Sequence, residues 1–413
     1  MKTFKARYIF PVAGKPIRDG ILTLDGDRIA SIGSHDDGEI GEIHDLGNVA
    51  IVPGFVNAHT HLNFSDLSKP IGEPGIDFVA WLHKVMAFRR ELGVIAQNPI
   101  ELGLQESLRH GTTTLGDIAQ VGWTVGPNVA VSPSLFLFQE IIGPVPNRIP
   151  AAMEIAKKHC GEKNTSPFRW PGLSPHAPYS VHPELLTALV QLSTERRIPL
   201  AMHLAETAEE VQLLRDGDGP FCDFLKMLGA WNPAEQPCGR RPLDFLQQLA
   251  AAHRALIIHG GYLDSDEIEF LSQNAERMAV VYCPRTHVWF NRKPHSIEKM
   301  LAAGVSVALG TDGRGSSPDL SLLNEMRCVA QQHPTIPLSQ ILQLGTLGGA
   351  FALGQESCIG SLERGKQADL TIVGLPNHAA ADPHELLFDN DASVTACLCR
   401  GRPAYVTNQL TIT

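Results

Sequence analysis

Residues 169–206 read RWPGLSPHAPYSVHPELLTALVQLSTERRIPLAMHLAE. Two short apolar runs, RWPGLSP and IPLAMHL, flank HPELLTALVQLSTERR, whose apolar residues return every three or four positions. This is the signature of strand, amphipathic helix and strand. Strands joined through a helix lie parallel, so the stretch is one βαβ unit. Each strand delivers a polar residue at its C-terminal end: His176 follows the first, His203 ends the second, and Glu206 stands three residues further on.

The same alternation continues in both directions. Short β-branched runs occur at IVPGFVNAH (51–59), TTTLGDI (112–118), AVSPSLFLF (130–138), ALIIHG (255–260), AVVYCP (279–284) and VSVALGTD (305–312). With the two runs above, the strands number eight. Helix candidates between them include AAMEIAKKHC, RPLDFLQQLAAAH and DEIEFLSQNAE. Between 76 and 89, Ile76, Val79, Leu82, Val85 and Met86 recur three and four apart, a stripe expected to pack into a core. Eight βα units predict a (β/α)₈ TIM barrel over residues 54–355.

Both chain ends read differently. ARYIFPVAG, GILTLDGDRIASIG and EIHDLGNVAIVPG near the start, and GSLERGKQADLTIVG and SVTACLCRGRPAYVTN near the end, are short strands punctuated by Gly and Asp. They predict a small flanking β-sandwich-like domain built from residues 1–53 and 356–413, since chain ends often lie close together.

In such a barrel the C-terminal strand ends open onto one face, where active sites sit. His59 and His61 follow strand one, Asp117 ends strand two, His176 follows strand four, and His203, His259 and Asp312 end strands five, six and eight. Residues some 250 positions apart therefore converge. Two histidines two apart in NAHTH point the same way if the backbone stays extended; alone, they could equally be surface or structural histidines. With His203 and Asp312 they make an N₃O donor set suited to zinc, iron or another divalent metal. Strand four carries no lysine that could bridge two ions, so one metal is expected. Such an ion lowers the pKa of its water and supplies a hydroxide nucleophile at neutral pH. Asp312 can take a proton from that water, Glu206 can shuttle one to a substrate ring nitrogen, and His259 can hold charge on the attacking oxygen.

The 413 residues carry a formal charge of −10. This argues against a nucleic-acid polymer as partner, which would need a basic footprint, and leaves a small-molecule substrate. Eight cysteines without a C-x-x-C pair read as reduced thiols. No apolar run reaches the length of a bilayer span and the N-terminus has no secretory h-region, so a cytoplasmic enzyme away from membranes is expected.

The motifs VPGFVNAHTHLNF, GTTTLGD, SPHAPYSV, MHLAE, the strand-six HG, VVYCPRTH, ALGTDGRGSSPDLSLLNEMR and GSLERGKQADLTIV together resemble the amidohydrolase superfamily. The resemblance is to the branch holding cytosine-type, guanine, S-adenosylhomocysteine and methylthioadenosine deaminases and the triazine chlorohydrolases, and it runs over nearly the whole chain. It implies one Zn²⁺, or Fe²⁺ in its place, on His59, His61, His203 and Asp312, with Glu206, His259 and Asp312 catalytic. It also implies hydrolytic deamination of an aminated heterocycle, first an adenine-type nucleoside such as methylthioadenosine, S-adenosylhomocysteine or an aminodeoxyfutalosine-like compound. A cyclic amide hydrolase, a triazine-type chlorohydrolase and a catalytically inactive metal-binding barrel are the alternatives, and homodimers are frequent among similar enzymes. Trp81 resembles the residue that packs on the purine, with a plain helix-face aromatic as the other reading, and His176 resembles one on the sugar side. The text CPRTHVWFNRKPH departs from the branch's usual Ser-Asn. Arg285 and His287, with Arg314 after the metal Asp, would suit a substrate carboxylate; the bland alternative makes all three loop or salt-bridge residues.

Overall fold

A computed structural model describes residues 1–34, 43–91, 99–123, 132–161, 168–232 and 239–408. Its strands, in chain order, are β1 (Lys2–Ile9), β2 (Ile17–Asp25), β3 (Arg28–Ser34), β4 (Ile43–Asp45), β5 (Val49–Pro53), β6 (Phe55–Thr60), β7 (Thr112–Ala119), β8 (Ser134–Ile141), β9 (Arg169–Pro175), β10 (Leu200–Leu204), β11 (Ala255–His259), β12 (Met278–Tyr282), β13 (Ser306–Leu309), β14 (Leu370–Gly374), β15 (Ser393–Cys399) and β16 (Arg402–Val406).

β6 to β13 stand in chain order in one eight-stranded sheet, each parallel to the next. Their residues are buried on both faces, which is why the strands read as nearly continuous apolar runs. Alternate side chains serve different cores. Val56, Ala58, Phe136, Phe138, Ala201, Leu256, Ile258, Ala279, Val281 and Ala308 cluster together. Leu200, Met202, Leu204, Ile257, Val280, Val307 and Leu309 join a second cluster with the surrounding helices. The helix Pro183–Arg196 shows how local sequence sets the elements. His182 caps its start by accepting from the Glu184 amide (3.2 Å), Pro183 takes its first position, and Arg197 closes it in the left-handed region (φ 54°).

First and last strands close the ring through a parallel bridge, Thr60 to Asp312. Polar groups clip this seam. Thr311 N donates to His59 O (3.1 Å), His61 N to Asp312 O (2.8 Å) and Thr60 Oγ1 to Asp312 O (2.7 Å). The buried Asn57 side chain donates to Thr311 Oγ1 (2.7 Å) and accepts from Thr311 N (3.2 Å).

The flanking strands form one mixed sheet in the order β16-β15-β14-β5-β1-β2-β3, with β4 beside β1. The two chain ends meet where β5 pairs antiparallel with β14, Ile51 opposite Ile372. The sheet uses both faces: Val49 and Ile51 enter its own core, whereas Ala50 and Val52 pack into the barrel's outer cluster. IVPGFVNAH, which the apolar pattern reads as one strand, is two. The chain leaves the flanking sheet at Pro53 and enters the barrel at Phe55. A side chain at Gly54, between them, would collide with Thr113. The cysteines among the described residues are free thiols, and Cys238 lies outside those residues. Among the described residues no helix is long and apolar enough to cross a membrane.

Candidate active site

The C-terminal ends of the barrel strands bring the polar residues together. His59 is the penultimate residue of β6, His61 follows it, His203 lies in β10, and Asp312 sits three residues past β13. Asp312 Oδ1 is 3.4 Å from His59 Nε2 and 3.5 Å from His61 Nε2, and His61 Nε2 is 3.4 Å from His203 Nε2. Donor atoms of His59, His61 and His203, and those of His59, His259 and Asp312, each fall within 4.8 Å of one another. Neither ring nitrogen of the fully buried His59 has a hydrogen-bonding partner of its own, an arrangement that would be costly without a ligand. His203 Nδ1 donates to the His176 carbonyl (2.9 Å). That fixes the proton on Nδ1 and leaves the Nε2 lone pair facing the site, the usual way of orienting a metal-binding imidazole. The donors present therefore fit a divalent cation.

Electrostatics agree. Burial, with the neighbouring His59 adding to it, drives His61 well below its ordinary value, and burial lowers His59 against the pull of the nearby Asp312 carboxylate. Burial would raise Asp312, but the imidazoles of His59, His61 and His259 beside it hold it well below the usual carboxylate range. Neutral imidazoles around an ionised carboxylate are what a cation needs. Asp312 Oδ2, turned away from the imidazoles, accepts from Ser316 Oγ (2.6 Å) and Thr286 Oγ1 (3.3 Å), and those hydroxyls are 2.9 Å apart.

Glu206 and His259 adjoin the donors. Glu206 Oε1 is 3.5 Å from His259 Nε2 and accepts from Arg292 Nη2 at 2.9 Å. Burial pushes His259 well down, and its carbonyl accepts from His295 Nε2 (2.9 Å). Ala205 (φ 53°), His259 (φ 68°) and Asp312 (φ 56°) are non-glycine residues in the left-handed region. Each such residue carries strain of about 1–3 kcal/mol, and all three lie at strand ends around the donor set. Glu210 restrains the first: its carboxylate accepts from the Ala205 amide (2.9 Å) and the Glu206 amide (2.8 Å). Burial raises Glu210 to about 8.

A cleft of about 260 Å³ opens from His61, His203, Glu206, His259 and Asp312, near the lower bound of roughly 300 Å³ for small-molecule sites. Its walls are mainly apolar. Trp81 lines it with its indole N–H tied to Gly315 O (3.1 Å) and its ring stacked on Phe78 (5.5 Å, 22°). Leu82, Val85 and Met86 line it as well; Ile76, Val79, Leu82 and Met86 also pack on a hydrophobic cluster with Phe78, Phe221 and Phe224, so the helical stripe packs into a core, as expected, and faces the cleft too. His176 lines the cleft with Nδ1 held by Ser180 Oγ (2.7 Å), and burial lowers it to about 3. Asp117 stays behind the site. It accepts from Leu62 N (2.9 Å) and Trp123 Nε1 (2.7 Å), steadying the turn after His61, and burial raises it to about 7.

The three residues expected to read a carboxylate are not brought to the cleft. Arg285 donates to Glu325 Oε1 (2.7 Å) and Asp319 Oδ1 (2.7 Å). The helix Pro284–Trp289 lies against the helix Leu322–Gln332 that carries Glu325, and turns Arg285 toward it. His287 Nε2 bonds Lys293 O (2.6 Å), and Arg314 bonds Leu67 O (2.6 Å) and Glu106 Oε1 (2.7 Å). Each is engaged by partners inside the chain. Among the described residues the guanidinium that lines the cleft is Arg89, 5.3 Å from the Phe64 ring and without an ion-pair partner there. Sequence reasoning passed over it, and also over Arg292, Glu210 and Ser316. Of these only Ser316, one turn after Asp312, carries a local signal.

The amidohydrolase family pattern matches residues 50–405. The 5-methylthioadenosine/S-adenosylhomocysteine deaminase of Moorella thermoacetica is 29% identical over 400 residues, 92% of this chain and 86% of that protein. The Helicobacter pylori aminofutalosine deaminase, solved with methylthio-coformycin, superposes with a TM-score of 0.85 at 21% identity, covering 98% of this chain and 100% of that one. An adenosine deaminase from Xanthomonas campestris, solved with bound zinc, gives a TM-score of 0.77 at 24% identity, covering 100% and 94%.

Proposed function

The chain belongs to the amidohydrolase family, and from that premise we propose that it deaminates an adenine-type nucleoside hydrolytically, with one zinc ion per chain held by His59, His61, His203 and Asp312. What carries the reading is the meeting of two things in one cleft: converging imidazole and carboxylate donors at its floor, and Glu206 with His259 beside them under an aromatic wall. A divalent ion at the donors would acidify a coordinated water and so supply a nucleophile at neutral pH. One proton of the attacking water passes through Glu206 to the ring nitrogen as the amine-bearing carbon is attacked. The other is received by Asp312 and is handed on through Glu206 to the departing amine, which leaves as ammonia; the carbon keeps the water's oxygen in its place. His259, kept neutral by burial, hydrogen-bonds the attacking oxygen. Trp81 packs on the base, and His176, with Nδ1 occupied by Ser180, has Nε2 for the sugar. Residues 54–355 carry this chemistry, flanked by 1–53 and 356–413. The substrates for which the Moorella thermoacetica relative is named, methylthioadenosine and S-adenosylhomocysteine, support the nucleoside class.

The test is ammonia release by zinc-loaded protein from adenosine, methylthioadenosine, S-adenosylhomocysteine, aminodeoxyfutalosine, guanine, cytosine and melamine. Turnover of at least one adenine nucleoside well above guanine, cytosine and melamine is expected. No ammonia from any of them, with metal bound, would overturn the reading and turn the search to cyclic amides.

A further inference from the structure

We infer that Arg292 is a positioning residue for this reaction: its guanidinium holds Oε1 of Glu206 so that the carboxylate presents Oε2 to the reactant. The inference rests on the deaminase reading above. Arg292 Nη2 donates to Glu206 Oε1 at 2.9 Å, and the two side chains are only 5% and 8% exposed. The same oxygen is the one 3.5 Å from His259 Nε2. Oε2 has no protein partner among the described residues, and Glu206 lines the cleft whereas Arg292 does not. The cation is thus attached to the carboxylate away from the reactant.

Arg292 is itself held in place. Its guanidinium centre lies 4.7 Å from the Phe290 ring and 5.4 Å from the Phe78 ring. A planar, delocalised cation can stack on aromatic faces while donating in its own plane, which an ammonium cannot do. Phe78 also stacks on Trp81, so the arginine, the wall of the cleft and the proton carrier form one packed unit. Glu206 is fixed from a second direction, because its amide donates to Glu210 Oε2 (2.8 Å). Backbone and carboxylate are each gripped by a different buried charged or polar group, and the remaining oxygen is left for proton transfer.

Stability alone accounts poorly for this arrangement. A buried ion pair is often no more stabilising than apolar residues of the same volume. What it adds is direction: a proton carrier must meet its target atom within hydrogen-bond reach. Arg292 lies beyond the motif VVYCPRTH, in the loop after the helix Pro284–Trp289, 86 residues from its partner.

The experiment compares zinc-loaded wild type with Arg292→Met and Arg292→Lys, measuring metal per chain, thermal midpoint, kcat and KM on the best nucleoside of the panel. Arg292→Met should keep its metal and lose about a hundredfold in kcat, as misplacement of a catalytic group does, with KM little changed. Arg292→Lys, which keeps the charge and loses the planar stack, should recover only part of kcat. Wild-type kcat in Arg292→Met, or a parallel collapse of metal content, kcat and KM, would overturn the proposal; so would wild-type kcat in Arg292→Lys, which decides the matter should the Met variant not fold. Inactivity of the wild type on the whole panel would sink the deaminase reading instead. The clamp is then read without substrate, by whether Arg292→Met destabilises the wild type more than it does the Glu206→Gln protein, and absence of that coupling overturns it.

Discussion

Ser316→Ala removes one hydroxyl that never touches the proposed ion, and its effect should still appear in metal affinity. Asp312 divides its work: Oδ1 faces His59 and His61, while Oδ2 is held by Ser316 at 2.6 Å and by Thr286 at 3.3 Å. The Ser316 bond is short and goes to an ionised, buried carboxylate, the kind worth about 1.5–3 kcal/mol. Losing it leaves Oδ2 with one long bond and makes the charge on Asp312 harder to keep. If that energy passes fully into metal binding, Kd rises roughly tenfold to somewhat over a hundredfold, at about 1.4 kcal/mol per decade. Measured outer-shell losses span about 10–100-fold. Thr286 limits the damage, because its hydroxyl is 2.9 Å from that of Ser316 and can turn onto Oδ2. Thr286→Val alone should therefore weaken binding less than Ser316→Ala, and the double variant should lose more than the two single effects added. The assay is competition for zinc against a chromogenic chelator at fixed pH, with circular dichroism to show that each metal-free variant stays folded. A Kd for Ser316→Ala within twofold of wild type would refute the reasoning, and so would a larger effect from Thr286→Val.

Glu206→Gln should retain about one zinc per chain by elemental analysis while kcat falls by roughly 10²–10⁴; wild-type turnover would remove Glu206 from the mechanism. Arg89→Gln should raise KM for nucleosides bearing a carboxylate and leave neutral nucleosides unaffected, since Arg89 is the cleft's guanidinium without an ion-pair partner among the described residues; equal effects on both would show that it does not read charge. His287 is lowered to about 4, chiefly by burial. Its contribution is therefore fully present above the unfolded value near 6.5 and is lost as pH falls toward 4. Between pH 7 and pH 5 this costs the wild type about 2 kcal/mol. His287→Gln should be the less stable protein at pH 7, and urea midpoints should show the gap narrowing by about that amount at pH 5. A gap that does not move with pH would contradict the assignment.

The parts of this molecule that could be read from sequence are those in which one strand carries the whole signal. An apolar run that ends in a histidine or an aspartate places His59, His203, His259 and Asp312 at the barrel mouth without any knowledge of their neighbours. The reading stayed open where the deciding contact comes from elsewhere in the chain. Arg285 read equally as a substrate contact or a salt-bridge residue, because its partner Glu325 lies 40 residues later on another helix. Helical period put Leu82, Val85 and Met86 on one face, and could not say that this face, besides packing on a hydrophobic cluster, also lines a cleft. The strand pair split at Gly54 offers no local break in hydrophobicity, because what separates its halves is which sheet each joins. Arg292 was invisible for the same reason: a lone arginine in a loop becomes informative only once Phe78, Phe290 and Glu206 surround it.

The clipped seam between the first and last barrel strands has a consequence for how the chain is made. The residues that meet there, Thr60 and Asp312, stand 252 positions apart, so the donor set is split between an early and a very late part of the barrel. A nascent chain that has displayed His59 and His61 for most of its synthesis still lacks Asp312, and bringing the two ends of so long a segment together in an unfolded chain is entropically unfavourable. Metal capture would accordingly mark the end of barrel assembly and not its beginning, and a chain truncated before β13 should be unable to retain the ion even though three of its four donors have been made.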